Sequence, residues 1–242
     1  MVMEGSEMEQ RFTEQSLIGD IVTVFPKAAD LFKAQRIDFC CGGQRPLKEA
    51  IEERGLDGEA LLHQLNTLYN EAQNKPTGNW SEAPLADLIE HIINTHHRYL
   101  NEELPQLSPY VTKVLRVHGM HHPHLSRVHK LFHELKTELE QHLIKEETGA
   151  FPLILQFADN PSPENREAVE QAVRELVHEH DAAGDLIKDI RDITNDFTPP
   201  EDACGTYRLV YNRLAALEDD LFTHIHLENN ILFPRVLAAV KV

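Results

Sequence analysis

The sequence predicts an all-α protein in which a four-helix bundle follows a small helical domain. Beyond about residue 84, apolar residues recur every three or four positions, which is typical of the buried stripe of an amphipathic helix. One pattern occurs twice there: a His is followed by Glu at +4 and by Phe-Pro at +9 and +10, and the copies begin at His142 and His224. Because residues i and i+4 share one face of a helix, each copy can aim an imidazole and a carboxylate at the same point inside a bundle.

Composition and charge narrow the possible classes of protein. The chain has 242 residues and a formal charge of −17, which argues against nucleic acid and anionic membranes as partners. No apolar run approaches the ~18 residues that a membrane helix needs, and the first residues lack the apolar core of a signal peptide. Three cysteines, two of them adjacent, do not make a disulfide framework. These features predict a cytoplasmic protein. The unusual feature of the composition is its content of 15 histidines.

The small helical domain is predicted over residues 1–74. A helical pattern over residues 17–32 is followed by the turn 38–43, which ends in two glycines. Pro46 then suits the first position of a further helix, because its fixed φ fits a helix start and its missing N–H is not needed there. Residues 74–84 contain Pro, Gly and Asn in the pattern of a linker.

Cys40 and Cys41 lie in that turn, just ahead of the predicted helix. Adjacent cysteines bridge each other only in a strained ring, so both are expected as thiols. The helix dipole favours thiolate at such a position, which suits binding of a soft metal or thiol exchange with a partner. The alternative is that both are small buried side chains. Cys204, near the start of the last helix, is predicted to be a packing residue.

The bundle domain is predicted over residues 75–242, with four long helices and one short one. Ser162 is a good N-cap for one of them, with Pro163 at its first position. The helices are predicted at 84–104, at 108–117, at about 125–150, from Pro163 and from Pro200.

Histidines and glutamates interrupt the apolar stripes of these helices. The set comprises His97, His118, His142, Glu146, His180, His224 and Glu228, although periodicity alone leaves His96 open as an alternative to His97. A single buried His is usually a hydrogen-bonded core residue, but buried carboxylates are costly without a partner, and metal is the natural one. Seven ligands exceed one tetrahedral zinc site. With both carboxylates and one oxygen atom bridging, the set fills eleven of the twelve positions of two octahedral ions, which favours a dinuclear iron centre with one position for a diatomic ligand.

At these residues the chain resembles the Repair of Iron Centers family, the ScdA/YtfE-type proteins with a hemerythrin-like bundle. Besides the His-rich helices, the matching segments are Asp38–Gly43, Pro84–Ile89, Glu179–Gly184 and Leu227–Asn230. The resemblance implies two non-haem iron ions with an oxo or hydroxo bridge, held by the seven residues above, and it selects His97 over His96. It further implies repair of iron–sulfur clusters damaged by nitric oxide or oxidants, through release of iron to the proteins that carry them.

Other functions fit the same residues. Reduction of nitric oxide, or binding of O2 or NO by a sensor or carrier, would use the same centre, and a helical interaction protein would use the histidines for packing. The adjacent thiols favour repair, because a plain oxygen carrier has no need of them. The sequence leaves the assembly open, a homodimer included.

Two further features lie near the predicted ligands. Glu138, one turn before His142, and Glu179, beside His180, are candidates for carboxylates that support the ligands or line a channel, with ordinary surface glutamates as the alternative. The stretch from His118 to His133 is richer in His than the family pattern leads us to expect. These extra histidines are predicted to belong to a solvated loop, with adventitious binding of metal at the surface as the alternative.

Overall fold

The computed structural model describes residues 11–72 and 80–240 of the chain, and throughout these residues the regular elements are helices. The predicted all-α class is confirmed. Contacts divide the chain into two compact units, one of which combines residues up to 83 with His226–Ile231, while the other holds Pro84–Ile225 and the residues from 232 onward. The predicted domain boundary after residue 74 lies outside the described residues.

Four short helices build the first unit, and they are α1 (Ile18–Val24), α2 (Ala28–Ala34), α3 (Leu47–Arg54) and α4 (Gly58–Ala72). Each turns apolar residues inward, and the side chains of Ile18, Phe32, Leu47 and Leu65 are fully buried. Such burial of large apolar side chains stabilises a domain of this size.

The helix predicted over residues 17–32 is two helices in the structure, so that prediction is wrong in detail. Pro26 is the cause, because the ring of a proline disfavours the helical conformation of the residue before it. Phe25 accordingly has φ −136° and ψ 82°. Further along, α3 ends at Gly55, whose φ of 63° supplies a left-handed C-cap.

The remaining helices join end to end into four long rods, three of them through a π-helical turn. The elements are α5 (Leu85–Ile92), a π turn (Ile93–His97) and α6 (Arg98–His118); α7 (His124–Lys145), a π turn (Glu146–Ala150) and α8 (Phe151–Asp159); α9 (Pro163–Ile193); and α10 (Gly205–His226), a π turn (Leu227–Leu232) and α11 (Phe233–Val240). Within the second unit α7 packs against α6 and α9, as in a four-helix bundle.

Two predicted helix boundaries differ from the structure. The break predicted before residue 108 is absent, because α6 runs through Pro105 and Pro109. Both prolines are exposed, so water can satisfy the carbonyl groups that they release. The last long helix begins at Gly205 instead of Pro200, whereas the start of α9 is as predicted, with the Ser162 hydroxyl accepting the backbone N–H of Asn165 at 3.2 Å.

In the described part of the chain, no helix combines the length and the apolar character that crossing a membrane requires.

Candidate metal centre

The helices bring six of the seven predicted ligands to buried positions. His97 ends the first π turn, Glu146 begins the second, and Glu228 lies in the third, one helical turn beyond His224 on the same continuous helix. A π turn adds one residue to a helical turn and shifts the side chains that follow, which is why such turns occur often at functional sites. We call these six residues the buried cluster: His97, His142, Glu146, His180, His224 and Glu228.

The buried cluster consists of two groups that share both carboxylates. One group is His97 and His224 with Glu146 and Glu228, and in the other His142 and His180 join the same two glutamates; within each group the possible ligand atoms lie within 4.8 Å of one another.

Glu146 directs one oxygen towards each group. Its Oε2 lies 3.2 Å from His97 Nε2, and its Oε1 lies 3.3 Å from His142 Nε2. A carboxylate placed in this way can bridge two cations.

The chemistry of these donors fits two metal ions. Glu146 and Glu228 have no exposed surface, and burying two like charges is costly unless cations compensate them. His142 Nε2 also lies 3.0 Å from His180 Nε2. Two imidazole nitrogens that face each other across a buried space need a proton or a cation between them.

Carboxylates orient two of the imidazoles. Glu147 Oε1 lies 2.8 Å from His97 Nδ1, and Glu179 Oε2 lies 2.8 Å from His142 Nδ1. A carboxylate on Nδ1 favours the tautomer with its proton there, so that Nε2 carries the lone pair towards the cluster. Glu179 also accepts a hydrogen bond from Lys145. Partial burial raises the pKa of Glu179, but the hydrogen bonds from Lys145 and His142 outweigh it and hold that pKa below its usual value.

Sequence reasoning singled out Glu179 but missed Glu147. Glu147 directly follows the predicted ligand Glu146 in the second π turn, where helical periodicity gives no guide to side-chain direction. A contact map would have been needed to find it.

Comparison with known proteins agrees with this geometry. The profile of the hemerythrin HHE cation binding domain matches residues 88–236, and the profile of a domain of unknown function, ScdA_N, matches residues 14–69. The iron–sulfur cluster repair protein ScdA of Staphylococcus haemolyticus is 36% identical over 221 residues, which cover 91% of this chain and 97% of that protein. The iron–sulfur cluster repair protein YtfE of Cronobacter sakazakii is 39% identical over 230 residues, covering 95% and 99%.

The chain belongs to the ScdA/YtfE family. The resemblance predicted from the motifs is thereby confirmed, and the paired His and Glu groups are a di-metal site of the hemerythrin type.

In this member of the ScdA/YtfE family, His118 lies outside the buried cluster. It is the last residue of α6, and its Nε2 is 3.1 Å from the sulfur of Cys204. Cys204 is exposed, so its prediction as a packing residue is wrong. The histidines from 118 to 133 are also not confined to a solvated loop, because His124 begins α7 and bonds the Tyr211 hydroxyl at 2.9 Å.

The neighbouring His96 is buried as well, but it has a different environment from His97. Its Nδ1 lies 2.8 Å from Asp220 Oδ1, and its ring stacks on that of His224 with the centroids 5.4 Å apart. His96 therefore packs against His224 of the buried cluster, whereas His97 belongs to one of the two groups itself.

A cavity of about 230 Å³ lies beside the buried cluster in the second unit. Its lining includes His142, His180 and His224, together with Glu179 and the exposed Glu138. Burial and the nearby charges of Glu134 and Glu179 raise the pKa of Glu138. Since one water occupies about 30 Å³ of liquid, the cavity has room for a small ligand and several waters.

The cysteine turn belongs to the first unit. The Oδ1 atom of Asp38 accepts the backbone N–H groups of Cys40, Cys41 and Gly42 at 3.0 to 3.1 Å, and it lies 3.3 Å from the Cys40 sulfur. The two sulfur atoms are 3.9 Å apart, and Asp38, Cys40 and Cys41 form a third group that could hold a metal ion. Cys40 is buried and Cys41 is half-buried.

Asn230 fastens this turn within the same unit. Its Nδ2 donates to the carbonyl oxygens of Phe39 and Cys40 at 3.1 and 3.0 Å, and its Oδ1 accepts from Gln44 Nε2 at 2.9 Å. Gly43 is required here by close approach, since a Cβ atom on it would lie 2.5 Å from Asn230 Oδ1. The segment that carries Glu228 is therefore bonded to the cysteine turn.

Proposed function

We propose that this protein holds two iron ions in the buried cluster and repairs iron–sulfur clusters damaged by nitrosative or oxidative stress, by supplying iron to the damaged proteins. The observation that carries the proposal is the pair of four-residue groups sharing two fully buried carboxylates. The ScdA and YtfE relatives, which are named iron–sulfur cluster repair proteins and match over more than nine-tenths of the chain, support it. A cytoplasmic setting, where thiols stay reduced, is part of the proposal.

We assign six ligands to the two ions instead of seven. Four imidazoles and the carboxylates of Glu146 and Glu228 would hold the ions once His118 is left outside, and the smaller ligand set would leave one more position for small ligands than the seven-residue set. When bound, the irons would supply sites for small ligands and a store of metal for transfer.

The protein's own residues then have distinct tasks. Glu146 and Glu228, which are fully buried, would compensate the charge of the cations. Glu147 and Glu179 keep His97 and His142 in the tautomer that presents Nε2 to the cluster. Glu179 contacts both His142 of the buried cluster and Lys145 at the surface, so it lies between the cluster and solvent.

The cavity offers a route between the buried cluster and solvent. Its carboxylates, Glu138 and Glu179, have the hard oxygen atoms that attract a divalent cation leaving or entering the site. The same cavity is large enough for a diatomic molecule beside His142 and His180. The alternative function that fits it is binding of NO or O2, or reduction of nitric oxide.

We further propose that Cys40 and Cys41 handle iron in transit or exchange thiols with the damaged protein. Two sulfur atoms and a carboxylate within 4.8 Å of one another are suited to transient binding of ferrous iron. No residue of the buried cluster comes from this turn, so the thiols are expected to affect transfer but not storage.

Transfer of iron to an apo-cluster acceptor under anaerobic conditions tests the proposal. The wild-type protein is expected to restore clusters and to lose iron as it does so, and the Cys40→Ser/Cys41→Ser variant should keep its iron and transfer it more slowly. A protein that retains both irons in the presence of the acceptor while binding NO or O2 reversibly would instead be a carrier or sensor. If wild type and double variant restore clusters at the same rate, the thiols have no part in repair.

A further inference from the structure

A second set of metal-binding side chains lies at the junction of α6 and α7, apart from the buried cluster. His118 ends α6, and the backbone N–H of His122 donates to the His118 carbonyl at 2.9 Å. This bond continues the helical path by one turn, so that the two histidines have the i, i+4 relation that places side chains on one face. Their ring centroids are 6.3 Å apart. Two His at this spacing are a common way of binding a divalent transition metal.

The segment before α10 presents two further donors to these histidines. Cys204 Sγ lies 3.1 Å from His118 Nε2, and Asp202 Oδ2 lies 3.1 Å from His122 Nε2. The Arg208 side chain holds this segment in place by donating to the backbone carbonyls of Ala203 and Glu201 at 3.2 and 3.0 Å. The donors are therefore on fixed backbone, although their side chains are accessible.

The geometry points to a binding site for one divalent transition-metal ion, of the class of Zn2+, Co2+ or Fe2+, at His118, His122, Asp202 and Cys204. We call these four residues the outer cluster. In a tetrahedral site with bonds of about 2.3 Å to sulfur and about 2.0 Å to nitrogen, the sulfur and nitrogen atoms are about 3.5 Å apart. Each hydrogen-bonded pair, His118 with Cys204 and His122 with Asp202, is within a few tenths of an ångström of such a spacing. The two pairs, whose histidine ring centroids lie 6.3 Å apart, have to move towards each other through side-chain rotation to share one ion.

One aromatic ring contacts both imidazoles. The buried ring of Tyr207 packs against the rings of His118 and His122, with centroid distances of 5.3 and 5.6 Å. His124, by contrast, is engaged by the Tyr211 hydroxyl and points to a different partner. Packing of this kind lowers the entropy that the ligands lose when a metal binds.

The donor types select the metal. A thiolate with two imidazoles and one carboxylate suits zinc, cobalt or ferrous iron and does not suit calcium or magnesium, which prefer oxygen. The thiolate and the carboxylate would also balance the two charges of the cation. Cys204 and Asp202 are exposed, so the bound ion would exchange with solution, unlike an ion in the buried cluster.

Titration of the full-length protein, with its buried cluster loaded, with Co2+ tests this site. We expect a thiolate-to-cobalt charge-transfer band, which zinc displaces, and one Co2+ per chain more in the wild-type protein than in Cys204→Ser. Cys204→Ser should abolish that part of the band, and the difference between wild type and this variant removes any contribution of Cys40 and Cys41. His118→Ala should weaken the affinity at least tenfold.

His129→Ala is the matched control. His129 lies on α7 in the same His-rich stretch, but its Nε2 is 3.1 Å from the Thr112 hydroxyl and outside the outer cluster, so the variant should bind Co2+ like wild type. Binding that is unchanged in both Cys204→Ser and His118→Ala, or no cobalt beyond the resident metals, would overturn the proposal. Iron measured in the same samples reports separately on the buried cluster, because none of its residues is altered.

Discussion

Two His-rich regions of one bundle use the same helical spacing in opposite environments. In the buried cluster, His142 and Glu146 are four positions apart and have almost no contact with solvent. In the outer cluster, His118 and His122 are also four positions apart but lie near the surface. Sequence spacing therefore identifies pairs of possible ligands, but the side chains around each pair determine whether it is buried and how strongly it can hold a metal ion.

The neighbours differ in charge and in how they fix the imidazoles. Carboxylates bind the Nδ1 atoms of two histidines in the buried cluster, whereas an aromatic ring supports the histidines of the outer cluster. Removing one partner of a buried charged set typically costs several kcal/mol, while exposed pairs contribute about 0–1 kcal/mol. Substitutions in the buried cluster should therefore have larger effects on metal binding and on the free energy of unfolding than substitutions in the outer cluster.

The largest effect is expected from Glu146→Gln. The amide keeps the shape but removes a negative charge that both groups share, so both metal ions should be lost together. Metal analysis after purification measures this, with His121→Ala as the control because His121 is exposed. Retention of one metal would show that Glu146 serves a single ion.

Loss of a carboxylate that orients an imidazole should have the next largest effect on metal binding. Glu179→Ala and Glu147→Ala each free an imidazole that they hold by Nδ1, and such changes typically reduce metal affinity by about 10–100-fold. Competition with a chelator measures the affinity. Glu140→Ala, which removes a surface pair with Lys136, is the control and should bind metal normally. Equal affinities in all three variants would contradict the role of the orienting carboxylates.

Asn230→Ala should destabilise the first unit by about 2–3 kcal/mol, because it leaves the buried carbonyls of Phe39 and Cys40 without this donor. Denaturant unfolding measures the loss. Asn66→Ala is a matched variant, since the Asn66 side-chain amide likewise donates to two backbone carbonyls in this unit, and its oxygen accepts a backbone N–H. Both should be destabilised, but faster metal release is expected only for Asn230→Ala, whose segment carries Glu228.

The smallest effect on the buried cluster is expected from His118→Ala. The free energy of unfolding should change by no more than about 0.5 kcal/mol, and the iron content should stay the same, because His118 contacts Cys204 and not the buried cluster. Loss of one iron in this variant would restore the seven-ligand set that the sequence predicts.

Helical periodicity predicted the bundle because apolar stripes are a property of each helix by itself. N-cap preference placed Ser162 at the start of α9, because the cap is a local interaction. The helix break at Pro26 was not predicted, and the break predicted between residues 104 and 108 is absent although Pro105 and Pro109 lie there. Whether a proline interrupts a helix depends on what surrounds the released carbonyl.

The site was predictable to the extent that its ligands repeat along the chain. Six of the seven predicted ligands meet in the structure because the His-x3-Glu pairs lie on long helices. His118 fits the same apolar stripe but lies at the end of α6, and periodicity does not record how far a stripe extends into the bundle. The π turns at His97, Glu146 and Glu228 were not predicted, because they change the residue count of one turn without a composition of their own.

Metal analysis of anaerobically purified protein, expressed in iron-rich medium, tests the central claim most directly. We predict two iron ions per chain, one for each group of the buried cluster, and an absorption band of an oxo-bridged pair in the near ultraviolet after oxidation. The Glu228→Gln variant, purified in the same way for comparison, should lose both the iron and the absorption band. Stoichiometric zinc without iron in the wild-type protein, or two irons retained in Glu228→Gln, would contradict an iron pair held by shared carboxylates.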